Sequence, residues 1–282
     1  MRMLDDLAGK VAVITGAGSG IGEGLARACA AEGMHVVVAD VDQARADTVA
    51  ASLGGVGSAL PVAVDVSDAD AVDRFATLVY ETFGATHLLC NNAGVCPFGR
   101  LWEFTAVDWQ WIVGVNLFGV ANGIRSFVPR MLAQGTGAHI VNTASGAGFI
   151  AEPRLGAYAA TKHAVIAISD ALRLELAPHG IGVSALCPGG VNTNIIQSGA
   201  RRSAADPAAA LAEDLRAFMS EIDTSWSTVI EPAQVAATVL WGIRENLPYI
   251  VTSPGAKQKV ADHHGVILDA HDRAHRHDPS LP

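Results

Sequence analysis

The feature that most constrains the fold of this 282-residue chain is a regular alternation of short apolar runs with longer amphipathic segments. An apolar run of about five residues, bounded by Gly, Asp or Asn, is typical of a strand buried on both faces. The segments between these runs have the length and periodicity of helices. Because strands that alternate with helices pair side by side in parallel, the sequence predicts an α/β protein built on a parallel sheet.

The apolar runs predict seven strands, at residues 11–15, 35–40, 60–64, 87–91, 139–143, 182–187 and 249–252. Helices are predicted to begin near Gly20, Gln43, Asp68, Ala106, Gly156 and Pro232. Several of these starts carry Asp, Ser or Pro, residues that cap or open helices. The predicted fold class is therefore a Rossmann-like, doubly wound, seven-stranded parallel sheet flanked by helices in a three-layer sandwich.

The length predicts one dinucleotide-binding catalytic domain over residues 1–282, since doubly wound sheets of this size commonly form one domain. Two stretches break the alternation. Residues 192–228 follow the carboxyl end of a strand, where ligands bind in open α/β sheets, and are predicted to form a substrate lid. Residues 253–282 are predicted to form a helical extension with a polar end.

Composition excludes several classes of protein. With 50% hydrophobic and 17% charged residues the chain is not mainly disordered, and a net charge of −9 disfavours nucleic acid and anionic membranes as partners. No apolar run approaches the roughly 20 residues that span a bilayer, and the first residues lack a secretory signal. Four cysteines without C-x-x-C spacing indicate neither a metal site nor a disulfide framework, so we expect a cytoplasmic protein.

The glycine-rich segment directly after the first strand predicts a dinucleotide site. The sequence TGAGSGIG spans residues 15–22 and opens a long helix. Gly16 permits a tight turn, Gly20 lets the backbone approach a pyrophosphate, and Gly22 lets the helix pack on the strand. Free amides at the start of the helix attract phosphates. The alternative interpretation is an ordinary tight turn.

Asp40 ends the second strand, 24 residues after Gly16, near the offset expected for a ribose ligand. A carboxylate there accepts hydrogen bonds from the ribose hydroxyls but repels a 2′-phosphate. Neither Ser19 nor Val41 offers a basic side chain to receive that phosphate. The cofactor is therefore predicted to be NAD, with NADP less favoured. Alternatively, Asp40 is only a turn residue at the end of a strand.

Four polar side chains suggest proton-transfer chemistry. Tyr158 and Lys162 are four residues apart on a predicted helix and project from the same face. A tyrosine is a poor base near neutral pH, so a neighbouring ammonium is needed to favour phenolate. Ser145 lies just past a strand, where its hydroxyl can hold a substrate oxygen. Asn116 lies within a helix that it does not favour, which suggests a functional reason for its presence.

Together these motifs resemble those of the short-chain dehydrogenase/reductase family, over residues 10–252. The residues that carry the resemblance are TGAGSGIG at 15–22, Asp65-Val66, the sequence NNAG at 91–94, Asn116, Ser145, Tyr158 with Lys162, and PGGVNT at 188–193. The resemblance implies a hydride transfer between NAD(H) and a secondary alcohol or its ketone.

The resemblance also implies residue roles. Tyr158 would be the acid/base, Ser145 would orient the substrate oxygen, and Lys162 would hold the nicotinamide ribose and lower the tyrosine pKa. Asn116 would complete a water-linked proton relay. The implied cofactor-binding residues are Gly16, Ser19, Gly20, Ile21, Asp40, Asp65, Val66, Asn92, Ala93, Gly94, Tyr158, Lys162, Pro188, Gly189, Val191 and Thr193.

The substrate is predicted to be a bulky hydrophobic or aryl alcohol or ketone, bound by Ser145, Cys96, Phe149 and Tyr158, because the residues near the catalytic groups are mostly apolar. Residues 109–116 and the tail also look weakly similar to dehydrogenases that act on lignin-derived aryl alcohols. Since a helix appears where many family members end in a short segment used in tetramers, a homodimer is favoured over a homotetramer.

Two rival functions remain. One is a regulatory protein that keeps a Rossmann fold and binds NAD(P) without turnover, which the set of Ser145, Tyr158 and Lys162 disfavours. The other is an epimerase or dehydratase of the longer-subunit branch, which has a larger carboxyl-terminal substrate domain than this chain can supply.

Overall fold

The computed structural model describes residue 4 and residues 6–54, 57–200, 207–221 and 228–278. Within these residues seven strands form one parallel sheet in the order β3-β2-β1-β4-β5-β6-β7, which confirms the predicted fold class. The strands are β1 (Val11–Thr15), β2 (His35–Asp40), β3 (Ala59–Ala63), β4 (Leu88–Asn91), β5 (Ala138–Thr143), β6 (Ile181–Cys187) and β7 (Tyr249–Val251). Each predicted strand boundary lies within one residue of the observed one.

Nine α-helices occupy the described part of the chain. They are α1 (Gly20–Ala31), α2 (Gln43–Ser52), α3 (Ala69–Phe83), α4 (Ala106–Val113), α5 (Gly119–Gln134), α6 (Gly156–Leu176), α7 (Pro207–Glu221), α8 (Pro232–Arg244) and α9 (Lys257–His277). Asp68, predicted as a helix start, is the N-cap of α3, and its side chain accepts hydrogen bonds from the amides of Asp70 and Ala71.

The sheet separates two layers of core. Neighbouring residues of β1 point to opposite faces, so that Ile14 packs with Leu25 of α1 on one side. Val13 packs with Phe75 of α3 and Phe127 of α5 on the other. Because both faces are covered, the strands are apolar throughout rather than alternating.

The strand order reverses beside β1, which pairs with β2 on one side and with β4 on the other. The loops after β1 and β4 therefore diverge to opposite faces of the sheet. In open α/β sheets this divergence leaves a crevice at the carboxyl ends of the strands, where ligands bind.

Residues 106–134 form one continuous helical stretch that is long and apolar enough to cross a membrane, judged by length and composition only. This stretch exceeds the apolar runs expected from the sequence because α4 and α5 are joined by a turn of π-helix at Gly114–Phe118. Within its most apolar window 56% of the residues are buried inside the protein. Phe127 and Met131 lie in the core beneath the sheet, as expected for a core helix.

Helix α9 is the predicted carboxyl-terminal extension, and residues 279–282 lie outside the described residues. Every residue of α9 is at least partly exposed, including the apolar Val266, Ile267 and Leu268. The helix therefore contributes little to the core.

We expect Phe127→Ala to lower the free energy of unfolding by about 3–5 kcal/mol, because the ring is 1% exposed and packs edge-on against Phe75. Urea unfolding followed by circular dichroism measures the change. Leu268→Ala, at a side chain that is 65% exposed, is the control and should change stability by less than about 0.5 kcal/mol. Equal losses in the two variants would contradict this view of the core.

Candidate active site

A cavity of about 400 Å³ lies at the carboxyl ends of the central strands. Its walls come from the loop after β1, the ends of β2 and β3, and the loops after β4, β5 and β6. The volume falls in the range of pockets that bind small molecules. The cavity is the crevice that the reversal of strand order creates.

The loop after β1 requires glycine at several positions. Gly16 and Gly20 have φ of +64° and +56°, in the left-handed region that favours glycine. A Cβ on Gly16 would lie 2.9 Å from the Cα of Ala93, and one on Gly22 would lie 2.2 Å from the Gly16 carbonyl oxygen. These close approaches bring the loop after β1 against the loop after β4 and bring α1 against its own strand.

The amino-terminal end of α1 opens onto this cavity. Ser19 is the N-cap residue, but its side chain makes no capping hydrogen bond. Ser19, Gly20 and Ile21 all line the cavity. A helix N-terminus without a side-chain cap presents free amides and a partial positive charge, so this wall can bind a phosphate group.

Asp40 lies beside the glycine loop and is 6% exposed. One carboxylate oxygen accepts a hydrogen bond from the Gly18 amide at 3.0 Å, and the other accepts one from the Asp42 amide at 3.0 Å. A Cβ on Gly18 would lie 2.8 Å from the carboxylate. The carboxylate is thus fixed at the cavity wall, as the sequence predicts.

Arg45 is a cavity residue that the sequence analysis did not identify. Its side chain lines the cavity, and its guanidinium lies 3.6 Å from the Asp40 carboxylate and 3.1 Å from that of Asp42. The N-cap spacing of Asp42, which accepts hydrogen bonds from the Ala44 and Arg45 amides, was the available signal. The two carboxylates already engage this guanidinium.

Thr15, at the end of β1, fixes the loop that follows β4. Its hydroxyl oxygen accepts hydrogen bonds from the amides of Asn92 and Ala93, at 2.9 and 3.1 Å. The Asn92 side-chain amide donates to the Thr15 carbonyl oxygen at 2.9 Å. These hydrogen bonds fix the position of the loop after β4 relative to the end of β1.

Lys162 is 2% exposed, and its ammonium donates to the Thr143 carbonyl oxygen at 2.7 Å. Burial disfavours the charged form and lowers the pKa of Lys162 to about 8. The Nζ atom lies 5.6 Å from the centre of the Tyr158 ring. A lysine that loses its proton this readily can exchange protons near neutral pH.

Tyr158 is buried beside Ser145. Burial raises the pKa of Tyr158 well above its ordinary value, and the nearby Cys96 raises it further, while a hydrogen bond with Ser145 lowers it. The Lys162 ammonium donates to the Thr143 carbonyl oxygen and lies 5.6 Å from the centre of the Tyr158 ring. Its expected lowering of the Tyr158 pKa stays a prediction.

Asn116 lies in the π-helical turn and is fully buried. Its side chain clasps the Val95 peptide, accepting from the amide at 2.8 Å and donating to the carbonyl at 2.9 Å, and it also donates to the Thr161 hydroxyl at 3.2 Å. The side chain therefore fixes the loop after β4 and does not line the cavity. Its role in a proton relay stays a prediction.

The structure brings three of the four predicted catalytic residues and all the predicted cofactor residues to the cavity. Ser145, Tyr158 and Lys162 line it, as does every predicted cofactor-binding residue: Gly16, Ser19, Gly20, Ile21, Asp40, Asp65, Val66, Asn92, Ala93, Gly94, Tyr158, Lys162, Pro188, Gly189, Val191 and Thr193. Their individual roles stay predictions.

Two predicted substrate residues do not line the cavity. Phe149 packs edge-on against Tyr249, with ring centres 5.9 Å apart, because the short 3-10 helix Gly146–Gly148 turns the chain away from the cavity. Cys96 is buried in the apolar cluster that contains Tyr158, and burial raises the pKa of its thiol to about 12. Neither side chain is placed to contact a molecule in the cavity.

Other apolar side chains line the cavity in place of Cys96 and Phe149. Trp111 and Val115 line the cavity from α4 and the π-helical turn, together with Val95 and Ile195. The spacing of four between Trp111 and Val115, which puts both on one helix face next to Asn116, was a signal in the sequence.

Helix α7 is the described part of the predicted lid, since residues 201–206 and 222–227 lie outside the described residues. Leu211, Leu215 and Phe218 of α7 pack against the cluster that contains Tyr158. Phe218 contacts Phe98, with ring centres 4.9 Å apart. The helix thus packs on the apolar cluster to which Tyr158 belongs, and none of its described residues lines the cavity.

Comparison with known proteins places this fold and site in a family. The family model described as short chain dehydrogenase matches residues 10–203, more than half of the chain. The chain belongs to the short-chain dehydrogenase family. The resemblance noted in the sequence is therefore confirmed, and the protein is an oxidoreductase of this family.

Individual members of the short-chain dehydrogenase family are similar over most of the chain. A C alpha-dehydrogenase from Sphingobium sp. is 35% identical over 269 residues, which are 95% of this chain and 88% of that protein. A short chain dehydrogenase/reductase from Burkholderia phymatum, solved in complex with NAD, is 38% identical and superposes with a TM-score of 0.82, covering 94% of this chain and 96% of that one.

Another relative matches more locally. The oxidoreductase EphD of Mycobacterium tuberculosis is 42% identical over 184 residues, which are 65% of this chain but 31% of that protein. The chain therefore spans about a third of the length of this relative.

The buried ammonium of Lys162 generates a pH-dependent stability. Because its pKa is about 8 in the folded protein and about 10.5 when exposed, the unfolded chain binds more protons between these values, and the contribution of Lys162 to stability rises with pH. We expect the free energy of unfolding of the wild type to gain on Lys162→Met by about 1.4 kcal/mol per pH unit between pH 8 and 10.

Urea unfolding of both proteins at several pH values in that window measures this difference. The subtraction removes the contributions of the other titrating groups that the two proteins share. A difference that stays constant with pH would mean that Lys162 titrates normally.

Proposed function

We propose that this protein transfers a hydride between NAD(H) and a secondary alcohol or its ketone, with Tyr158 as the acid/base. The observation that carries the proposal is that Ser145, Tyr158 and Lys162 line the same cavity as an uncapped helix N-terminus and a fixed carboxylate. The first three can handle a proton and a substrate oxygen, and the last two fit a dinucleotide.

The residues present fit a dinucleotide cofactor. Gly16 and Gly22 allow the close backbone approaches that form the turn at the start of α1, and the helix has no side-chain cap, so its first amides are free for a pyrophosphate. Lys162 and the segment from Pro188 to Thr193 would hold the nicotinamide end. When bound, the cofactor supplies an acceptor or donor of hydride.

The chain's own residues would move the proton. In the oxidative direction the Tyr158 oxygen, as phenolate, takes the proton of the alcohol while a hydride leaves the carbon. The Ser145 hydroxyl forms a hydrogen bond with the oxygen of Tyr158 and can hold the substrate oxygen beside it. Lys162, with a pKa near 8, can return a proton to this site, and reduction reverses each step.

NAD is favoured over NADP as the cofactor. The Asp40 carboxylate is held at the cavity wall by two backbone amides, where it can accept hydrogen bonds from ribose hydroxyls and would repel a 2′-phosphate. Arg45 is the nearby cation, but its guanidinium is engaged with Asp40 and Asp42. The NAD complex of the Burkholderia phymatum relative supports a nicotinamide cofactor.

The substrate is proposed to be bulky and hydrophobic, with an aryl alcohol or ketone as the favoured class. Val95 and Ile195 line the cavity and pack against the cluster that contains Tyr158, and Trp111 adds a flat apolar wall. Burial of apolar substrate surface against such walls favours binding. The name of the Sphingobium relative, a C alpha-dehydrogenase, is compatible with this class.

The remaining proposals concern organisation. We propose one catalytic domain over residues 1–282, a homodimer or homotetramer, a small-molecule substrate without nucleic-acid or membrane partners, and a cytoplasmic location. The rival proposal, a regulator that binds NAD(P) without turnover, would leave no purpose for a buried lysine beside a buried tyrosine, since burying both groups costs stability.

Tyr158→Phe tests the acid/base role. We expect kcat to fall at least about 100-fold, because general acid/base groups contribute on this scale, with NAD+ binding unchanged. Absorbance at 340 nm with NAD+ and a panel of secondary aryl and alkyl alcohols measures turnover, and calorimetry measures NAD+ binding. Near-normal kcat in the variant would refute the role, and a wild type that binds NAD+ but turns over no substrate would favour the regulator.

Asp40→Asn tests the cofactor preference. We expect the wild type to have a kcat/KM for NAD+ at least about tenfold above that for NADP+, since repulsion of the phosphate costs about 1.4 kcal/mol or more. The variant should narrow this ratio because it keeps an acceptor and removes the charge. Asp47→Asn on the exposed face of α2 is the control. A wild-type ratio that favours NADP+ would reverse the assignment.

A further inference from the structure

We infer that Arg154 is a positioning residue that holds helix α7 against the apolar cluster containing Tyr158 and so sets the affinity for bulky substrates. The inference rests on the proposed function for its substrate and on the geometry for the ion pairs that hold α7. Arg154 precedes Tyr158 by four residues in the loop that leads into α6.

The contacts of Arg154 join two elements that are distant in sequence. Its side chain is 13% exposed, and its guanidinium donates to the Glu221 carboxylate at 2.9 Å and lies 3.8 Å from the Asp214 carboxylate. Asp214 and Glu221 are seven residues apart on α7, so they lie on one face of that helix. One arginine thus holds α7 at its middle and at its carboxyl-terminal end.

The backbone of Arg154 is held in an unfavourable conformation. Its φ is +64°, in the left-handed region that residues other than glycine rarely adopt. The carbonyl of Arg154 accepts a hydrogen bond from the Gly99 amide at 3.0 Å. Such a conformation persists only where surrounding contacts stabilise it, and here it directs the guanidinium toward α7.

The loop after β4 also contacts α7. Arg100, next to Gly99, lies 3.6 Å from Glu221 with its own guanidinium. Phe98 contacts Phe218 of α7, with ring centres 4.9 Å apart. The loop after β4, the loop before α6 and α7 therefore meet at one cluster of ion pairs and aromatic rings.

The position of α7 affects the apolar surroundings of Tyr158. Leu211, Leu215 and Phe218 pack on the cluster that contains Tyr158, and a bulky substrate bound beside Tyr158 would extend from the cavity toward this apolar face. If the ion pairs with Arg154 are lost, α7 keeps its apolar contacts and the pair of Glu221 with Arg100, but loses both of the ion pairs that join it to the loop before α6. A large substrate would then lose part of its binding surface, whereas a small substrate would lose little.

The test compares Arg154→Gln, Arg154→Lys and Glu221→Gln with a matched control. Arg125→Gln removes an exposed pair with Asp73, 2.9 Å apart, that joins α5 to α3. Steady-state oxidation of 1-phenylethanol and of 2-propanol with NAD+ gives kcat and KM for each protein. Hydrogen exchange followed by mass spectrometry reports the opening of residues 207–221 without any substrate.

We expect Arg154→Gln to raise the KM for 1-phenylethanol at least fivefold, with the KM values for 2-propanol and NAD+ within twofold of wild type. Arg154→Lys should recover part of the loss because it restores the charge. Residues 207–221 should exchange faster in Arg154→Gln and Glu221→Gln, and combining the two substitutions should add little. The control should match the wild type in every measurement.

Hydrogen-exchange rates of residues 207–221 that stay at the wild-type values in both Arg154→Gln and Glu221→Gln would overturn the inference. Strictly additive changes of these rates in the double variant would also overturn it. If the wild type oxidises no alcohol, the proposed function fails, but hydrogen exchange still decides whether Arg154 holds α7. If Arg154→Gln does not fold, Glu221→Gln decides the question, because Glu221 is on the surface and its removal leaves Arg154 paired with Asp214.

Discussion

The hydroxyl of Thr15 is the contact on which the candidate site most depends. Thr15 is the last residue of β1, and its hydroxyl oxygen accepts hydrogen bonds from the amides of Asn92 and Ala93 in the loop after β4. These two strands are neighbours at the point where the strand order reverses, so their loops would otherwise diverge freely. A fixed separation here sets the width of the cavity, and the close approach of Gly16 to Ala93 then leaves no room for a larger residue.

The second constraint is a buried cation. Lys162 has lost almost all contact with solvent, and the Thr143 carbonyl is the acceptor for its ammonium. Burial without a carboxylate partner in these contacts costs free energy, which is why its pKa falls to about 8. Natural proteins keep such costs mainly where function requires them. The lysine and the buried Tyr158 therefore mark the chemical end of the cavity.

Much of the fold and of the site was predictable because it depends on local patterns. The apolar runs located each strand to within one residue, and Asp68 was recognisable as a cap. The glycine turn and the spacing of Tyr158 and Lys162 are set by short stretches of sequence. The position of Phe149 was not predictable, because a short 3-10 helix after Ser145 turns the ring toward β7, and no local pattern indicates that turn.

The sequence by itself determined the parallel sheet, the glycine loop and the residues available for proton transfer, since each follows from the order of residue types along the chain. Only the tertiary structure decided what surrounds them. Trp111 lines the cavity, Asn116 clasps the Val95 peptide, and Arg154 reaches α7 because elements far apart in sequence pack together. Contacts of this kind depend on the orientation of whole helices, which no single stretch of sequence specifies.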